Sequence, residues 1–272
     1  MTTEHEYVLG THDAEIDRLG LQHRVWHPRA LDAWRRAGFT IGQTIVDVGC
    51  GPGYATIDLA EIVGGSGRVV AVDRSRRFLD ALERSARLRG FENRIETHEL
   101  DLAESPLPEG SADGAWARWI LAFVREPRAL LARISRVLRP GGVFVSHEYF
   151  DYSTWRLSPR SPELEEFVSI VMASWRADGG EPDVGLEIPR WLEELGFEIL
   201  SLKPIVDAVR PSDAVWKWPS AFIEVGLARL VSLGRLTDEQ ARRIRTAFDE
   251  RERDPSALMI TPAVLEVIAA RK

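Results

Sequence analysis

Apolar positions along this chain recur in two rhythms. Residues 44–50 (TIVDVGC) and 68–73 (RVVAVD) are short, nearly continuous apolar runs, the pattern of strands buried on both faces. Weaker runs at 95–101, 115–122 and 143–149 predict three more strands, the second of them passing into a helix or turn. Between them the period lengthens. Residues 55–63 predict a helix stopped by Gly64-Gly65, and Ser75 is placed to cap a helix that runs to Arg89 and ends at Gly90. Leu130, Leu131, Ile134 and Leu138 share one face of a helix over 127–138.

Upstream, the pattern predicts two helices, one over 12–26 and a second opening near Pro28, a residue suited to a first turn. Downstream, it predicts a short helix over 188–195, a strand over 197–206 and an alternating strand over 264–271. Strands alternating with helices imply an α/β fold with a parallel sheet and right-handed crossovers. No clean linker divides the chain. The expected organisation is one domain: a helical lead-in over 1–40, a core over 41–150, two mainly helical cap insertions over 151–187 and 207–259, and segments 188–206 and 260–272 completing the sheet.

The stretch Val46-Asp47-Val48-Gly49-Cys50-Gly51-Pro52-Gly53 joins a strand to a helix. Glycines there allow a tight turn and close approach of a ligand to backbone N–H groups at a helix start. Spacing narrows the ligand. A dinucleotide fingerprint needs glycine where Tyr54 stands, and the Lys-Ser/Thr of a P-loop is missing. Asp47, inside the strand, repels phosphate and suits a cation. Asp73 closes the second strand and can accept from both hydroxyls of a ribose; Asp101, closing the third, can accept from an adenine amine. Ribose, adenine and a positive charge together describe S-adenosylmethionine.

These residues, with the turn Leu138-Arg139-Pro140-Gly141-Gly142, resemble the class I methyltransferases that use S-adenosylmethionine, in particular the small-molecule UbiE-like group. The likeness spans roughly residues 40–150. It implies a Rossmann-like, seven-stranded, mostly parallel sheet whose last strand is antiparallel, with 264–271 in that place. It also implies cofactor-binding roles. Gly49, Gly51 and Gly53 would wrap the methionine part, and Asp73, followed by Arg74, would hold the ribose. Asp101 and Leu102 would frame the adenine, and Arg118 would line the pocket. Tyr7, Arg18 and Gln22, in a lead-in similar to that of small-molecule members, would close over the cofactor.

Composition adds exclusions. The chain has 272 residues, a formal charge of −7, one cysteine and nine tryptophans. A single cysteine, Cys50, forbids an internal disulfide and a cysteine zinc cluster, and its place between glycines suits a small residue in a tight loop. The acidic balance argues against nucleic acid as the partner, since backbone binders neutralise phosphate with Lys and Arg. No apolar run is long enough to span a membrane and no signal peptide is visible, so a cytoplasmic protein is expected. No metal is expected, and homodimerisation stays open.

The remaining candidates concern the acceptor. His147 and Glu148 end the fifth strand, where open α/β sheets bind ligands, so His147 is the candidate general base, against a bland reading as a structural pair. Trp155, Trp175, Trp216 and Trp218 would wall an apolar pocket with Trp119 and Tyr149 at its floor, against a bland reading as cap core. The expected function is methyl transfer to an O, N or C nucleophile of a small molecule. The alternatives are a protein or RNA methyltransferase, a non-catalytic S-adenosylmethionine binder and an NAD-dependent oxidoreductase.

Overall fold

A computed structural model describes residues 13–101 and 112–272. Five strands and four helices form the first half: α1 (Asp13–Arg36), β1 (Thr44–Val48), α2 (Tyr54–Val63), β2 (Arg68–Asp73), α3 (Arg76–Arg89), β3 (Ile95–Glu99), β4 (Ala112–Arg118), α4 (Pro127–Val137) and β5 (Leu138–Asp151). The second half adds β6 (Arg156–Ser158), α5 (Pro162–Ala177), α6 (Ile188–Glu194), β7 (Phe197–Ile205), β8 (Ala208–Val209), α7 (Lys217–Ser232), α8 (Asp238–Arg253), β9 (Leu258–Ile260) and β10 (Ala263–Arg271).

Seven strands make the main sheet in the order β3-β2-β1-β4-β5-β10-β7, and β10 runs antiparallel to both β5 and β7. The strand order reverses at β1, which pairs in parallel with β2 on one side and β4 on the other. Alternation along β1 sorts the two layers. Val46 and Val48 pack with Leu130, Leu131 and Ile134 of α4 and Ile188 and Leu192 of α6. Ile45 packs on the opposite face with Ala30 and Trp34 of α1 and Ala55 and Leu59 of α2. Among the described residues no helix is long and apolar enough to cross a membrane.

Two local expectations give way. The lead-in is one helix, not two: α1 continues through Pro28. Proline removes one helical hydrogen bond at a cost of about 3 kcal/mol. Trp26, Ala30, Ala33 and Trp34 are fully buried around that point, so packing on both sides outweighs the loss. The cap is not mainly helical throughout, because β6, β9 and β8 form a small antiparallel sheet under α5, α7 and α8. Strands of two or three residues carry too little periodicity to be read from sequence. In the cap Trp155, Phe167, Trp216, Ile223 and Phe248 are almost wholly buried, in a cluster that continues onto Trp26 of α1, Trp119 beyond β4, Tyr149 of β5 and Val264 of β10.

Candidate functional site

The glycine loop leaves β1 over the switch in strand order, where open α/β sheets leave a crevice. Gly49, Gly51 and Gly53 all have positive φ, at 71°, 54° and 85°. Each is glycine for a different reason. A Cβ on Gly49 would lie 2.8 Å from Ile120, and one on Gly53 would lie 2.3 Å from Leu82, whereas one on Gly51 would meet nothing within 4 Å. Gly51 therefore opens onto a cavity of about 600 Å³, which Gly49, Cys50 and Gly51 line and Gly53 does not. Gly53 serves the packing of α2 on α3.

The lining of this cavity includes the acidic residues singled out in the sequence: Asp47, Asp73, beside Arg74, and Asp101. Asp73 is held from both sides, with Oδ2 accepting the Gly51 N–H and Oδ1 the Ser75 N–H, each at 2.9 Å. Burial raises its pKa, offset by those N–H groups and the Arg74 charge. With the Arg74 N–H also bonded to it, the carboxylate has used three of its roughly four acceptor positions, which leaves room for a ligand hydroxyl. Asp47 differs from expectation. Its Oδ2 accepts the Thr56 hydroxyl at 2.6 Å, and burial pushes its pKa up to about 7, so it is a poor fixed anion for a cation.

Arg18, Leu19 and Gln22 of α1 reach the cavity, with Arg18 ion-paired to Glu15 and bonded to Gln22. Tyr7 and Leu102 lie outside the described residues. Arg118, at the end of β4, also lines the cavity. Burial lowers its pKa to about 10.

Aromatic side chains also line the cavity. Trp119, Tyr149 and Trp175 line it, together with Trp116, Phe123 of the β4–α4 connection and Phe222 of α7. Trp155, Trp216 and Trp218 do not line the cavity. Trp216 donates its indole N–H to Glu252 at 2.9 Å inside the cap, and Trp218 stacks behind Trp119 at 5.5 Å. Sequence could not sort these four cap tryptophans, since an indole is apolar whether it faces a core or a ligand.

His147 is also placed off the cavity wall. It is fully buried, Nε2 donates to Glu266 Oε2 at 3.0 Å, and its ring packs on Trp26 and Trp116. Burial lowers its pKa despite Glu266, so it is held neutral as a structural donor. Glu266 is shared with Arg36, which ties α1 to β10. Its neighbour Glu148 does more for the site. One oxygen accepts the N–H groups of Ile120 and Leu121 at 2.8 Å, and the other accepts that of Ala122 at 3.3 Å. This clamps the turn in which Trp119 adopts a left-handed φ of 51° and Ile120 covers Gly49. An apolar strand end with adjacent His and Glu signalled a buried polar pair, but not which of the two would hold a turn.

His23, on α1, is buried and bonded to Asp58 of α2 at 2.7 Å, and His27 lies 3.3 Å from the same oxygen. The three form a candidate ligand set. Arg118 Nη2, however, lies 3.2 Å from His23 Nδ1. A guanidinium can only donate, so Nδ1 accepts and Nε2 carries the proton given to Asp58. That arrangement leaves no lone pair on Nε2 for an ion.

A glycine-cradled, acid-lined crevice at the reversal of a seven-stranded sheet with an antiparallel β10 is the arrangement that the resemblance to class I methyltransferases led us to expect. Residues 46–146 match the family described as "Methyltransferase domain". Among curated relatives, demethylmenaquinone methyltransferase of Lactococcus lactis is 32% identical over 47% of this chain and 49% of its own. An uncharacterized 37.1 kDa protein in transposon Tn4556 of Streptomyces fradiae is 30% identical over 64% of this chain and 48% of its own. The chain thus spans about half the length of these relatives. Among solved structures, geranyl diphosphate C-methyltransferase from Streptomyces coelicolor superposes with a TM-score of 0.57 at 20% identity, over 92% of this chain and 80% of that one. The cyclase SpnF superposes at 0.59 and 19%, over 90% and 80%. Residues 46–146 thus match a methyltransferase domain, and the fold is shared with methyltransferase structures. The open cradle at Gly51 and the Asp73 carboxylate in the cavity lining fit S-adenosylmethionine.

Proposed function

We propose that this chain transfers a methyl group from S-adenosylmethionine to an O, N or C nucleophile of a small molecule. The observation that carries the reading is continuity. One cavity of about 600 Å³ joins the glycine loop and acidic residues to aromatic side chains from β4, β5, the β4–α4 connection and the cap. That volume lies within the range of small-molecule sites.

When bound, the cofactor supplies an activated sulfonium methyl. The chain's own residues supply alignment and water exclusion. Gly49 and Gly51 give close backbone approach, Asp73 accepts from ribose hydroxyls, and Asp101 stands for the adenine. Trp119, Tyr149, Trp175 and Phe222 hold and desolvate the acceptor. His147, off the wall and neutral, is given no proton to carry. The net charge of −7 supports a free small molecule over nucleic acid as acceptor, in a cytoplasmic protein.

Calorimetry with S-adenosylhomocysteine and NAD tests the cofactor half, and release of S-adenosylhomocysteine in the presence of acceptors tests turnover. The expected result is micromolar binding of S-adenosylhomocysteine, none of NAD, and acceptor-dependent turnover. Preference for NAD would remove the reading. Cofactor binding without turnover on any acceptor would make the chain a binder that shares the fold.

A further inference from the structure

Arg118 is the unusual charge of this cavity. Its guanidinium lies over the rings of Trp119 at 5.3 Å and Trp116 at 5.8 Å. Of the five N–H donors a guanidinium carries, Nη2 meets His23 Nδ1 at 3.2 Å, and Nη1 is buried with no hydrogen-bond partner. Asp47 attracts Arg118 through space but spends its own bond on Thr56. His23 offers no charge in return. It accepts at Nδ1, donates at Nε2 to Asp58, and so stays neutral. A cation is therefore placed beside a cavity with a neutral hydrogen-bond partner and the through-space pull of Asp47 and Asp58, which is costly unless something else compensates it.

The cavity's other expected occupant makes the imbalance worse. A sulfonium cofactor adds a further positive charge to the same cavity. An acceptor carrying a negative charge would offset part of that excess beside Arg118. The cavity that Arg118 lines with Trp116 and Trp119 is also lined by Tyr149, Trp175 and Phe222, and such a lining favours a planar ring system.

We propose that Arg118 is the anion-recognising residue of the acceptor site, and that the acceptor is a planar aromatic molecule bearing a carboxylate. This rests on the methyl-transfer reading and narrows it. A guanidinium fork fits a carboxylate with paired, charge-assisted bonds. His23 and Asp58 act as positioning residues that fix Nη2 and leave the rest of the fork for the ligand.

The test uses the full chain saturated with S-adenosylhomocysteine. It is titrated calorimetrically with two matched pairs, 2-naphthoate with 2-naphthamide and 4-hydroxybenzoate with 4-hydroxybenzamide. We expect at least one acid to bind about tenfold or more tighter than its amide, the scale of a hydrogen bond to a charged group. Arg118→Gln should erase that preference by weakening the acid more than the amide. Arg118→Lys, which keeps the charge without the fork, should retain part of it. Equal binding of acid and amide, binding of neither, or a preference that survives in Arg118→Gln overturns the proposal. So does loss of S-adenosylhomocysteine affinity in Arg118→Gln as large as the loss for the acid, which would assign the guanidinium to the cofactor's own carboxylate. The acid–amide comparison on the unmodified chain stands even where a variant folds poorly. Failure of the methyl-transfer reading shows separately, as no binding of S-adenosylhomocysteine to the unmodified chain.

Discussion

Glu148 gives the sharpest quantitative expectation, because its two oxygens are used unequally. Oε1 takes both short bonds, from Ile120 and Leu121, and Oε2 takes only the longer one from Ala122. In Glu148→Gln, a carbonyl at Oε1 keeps the two short bonds, and the amide NH2 faces the Ala122 N–H as donor to donor. That loss should cost about 1–2 kcal/mol. The substitution also removes an ionisation. Burial raises the Glu148 pKa from 4.5 to about 7, with the three N–H groups opposing. Between those values the folded chain keeps a proton that the unfolded chain has released, so stability falls as pH rises through the window. At 1.36 kcal/mol per unit the fall approaches about 3 kcal/mol.

The two effects predict a crossover. Below about pH 5 the unmodified chain should be more stable by about 1–2 kcal/mol, and above about pH 8 Glu148→Gln should be the more stable by a similar amount. Urea unfolding of both chains at pH 5, 6, 7 and 8 measures this. Asp47 and Asp73 are also raised, so the difference between the chains is the quantity to compare, not either slope alone. A difference that stays constant across pH 5–8 would refute the reasoning. Glu148→Ala tests the clamp itself: three orphaned N–H groups should cost at least about 3 kcal/mol below about pH 5, and the difference should shrink as pH rises through the same window.

Other expectations follow from single contacts. Gly53→Ala places a methyl 2.3 Å from Leu82 at a φ of 85°, and should lower unfolding stability by about 2 kcal/mol or more. A variant within about 0.5 kcal/mol of the parent would show that α2 and α3 separate freely. Asp73→Asn should raise the dissociation constant for S-adenosylhomocysteine about tenfold or more, read by calorimetry, and unchanged affinity would take Asp73 out of the ribose role. Trp216→Ala should cost about 3–5 kcal/mol in urea unfolding by emptying the cap core. Phe222→Ala, on the cavity wall, should weaken ligands of the aromatic half more than it weakens S-adenosylhomocysteine. The reverse order in binding assays would exchange the two residues' roles.

The sequence by itself determined the sheet and its ligand wall. Continuous apolar runs could only be strands buried on both faces, and glycines between a strand and a helix could only be a turn. The carboxylates followed because strand ends in a parallel sheet converge on one edge, so Asp73 and Asp101 were placed by counting strands. The seven-stranded order with β10 antiparallel came from the resemblance those motifs carried. Tertiary structure decided the rest. Whether Pro28 breaks α1 depended on tryptophans packed on both sides of it. Which tryptophans face the cavity depended on how the cap sits, as the contrast of Trp175 with Trp216 shows. His147 and Glu148 are chemically equal candidates at a strand end. Alternation turns them to opposite faces, so His147 meets Glu266 while Glu148 meets the β4–α4 turn. Neither partner is near in sequence, and an interaction whose partner is fixed only by folding leaves no local pattern to read.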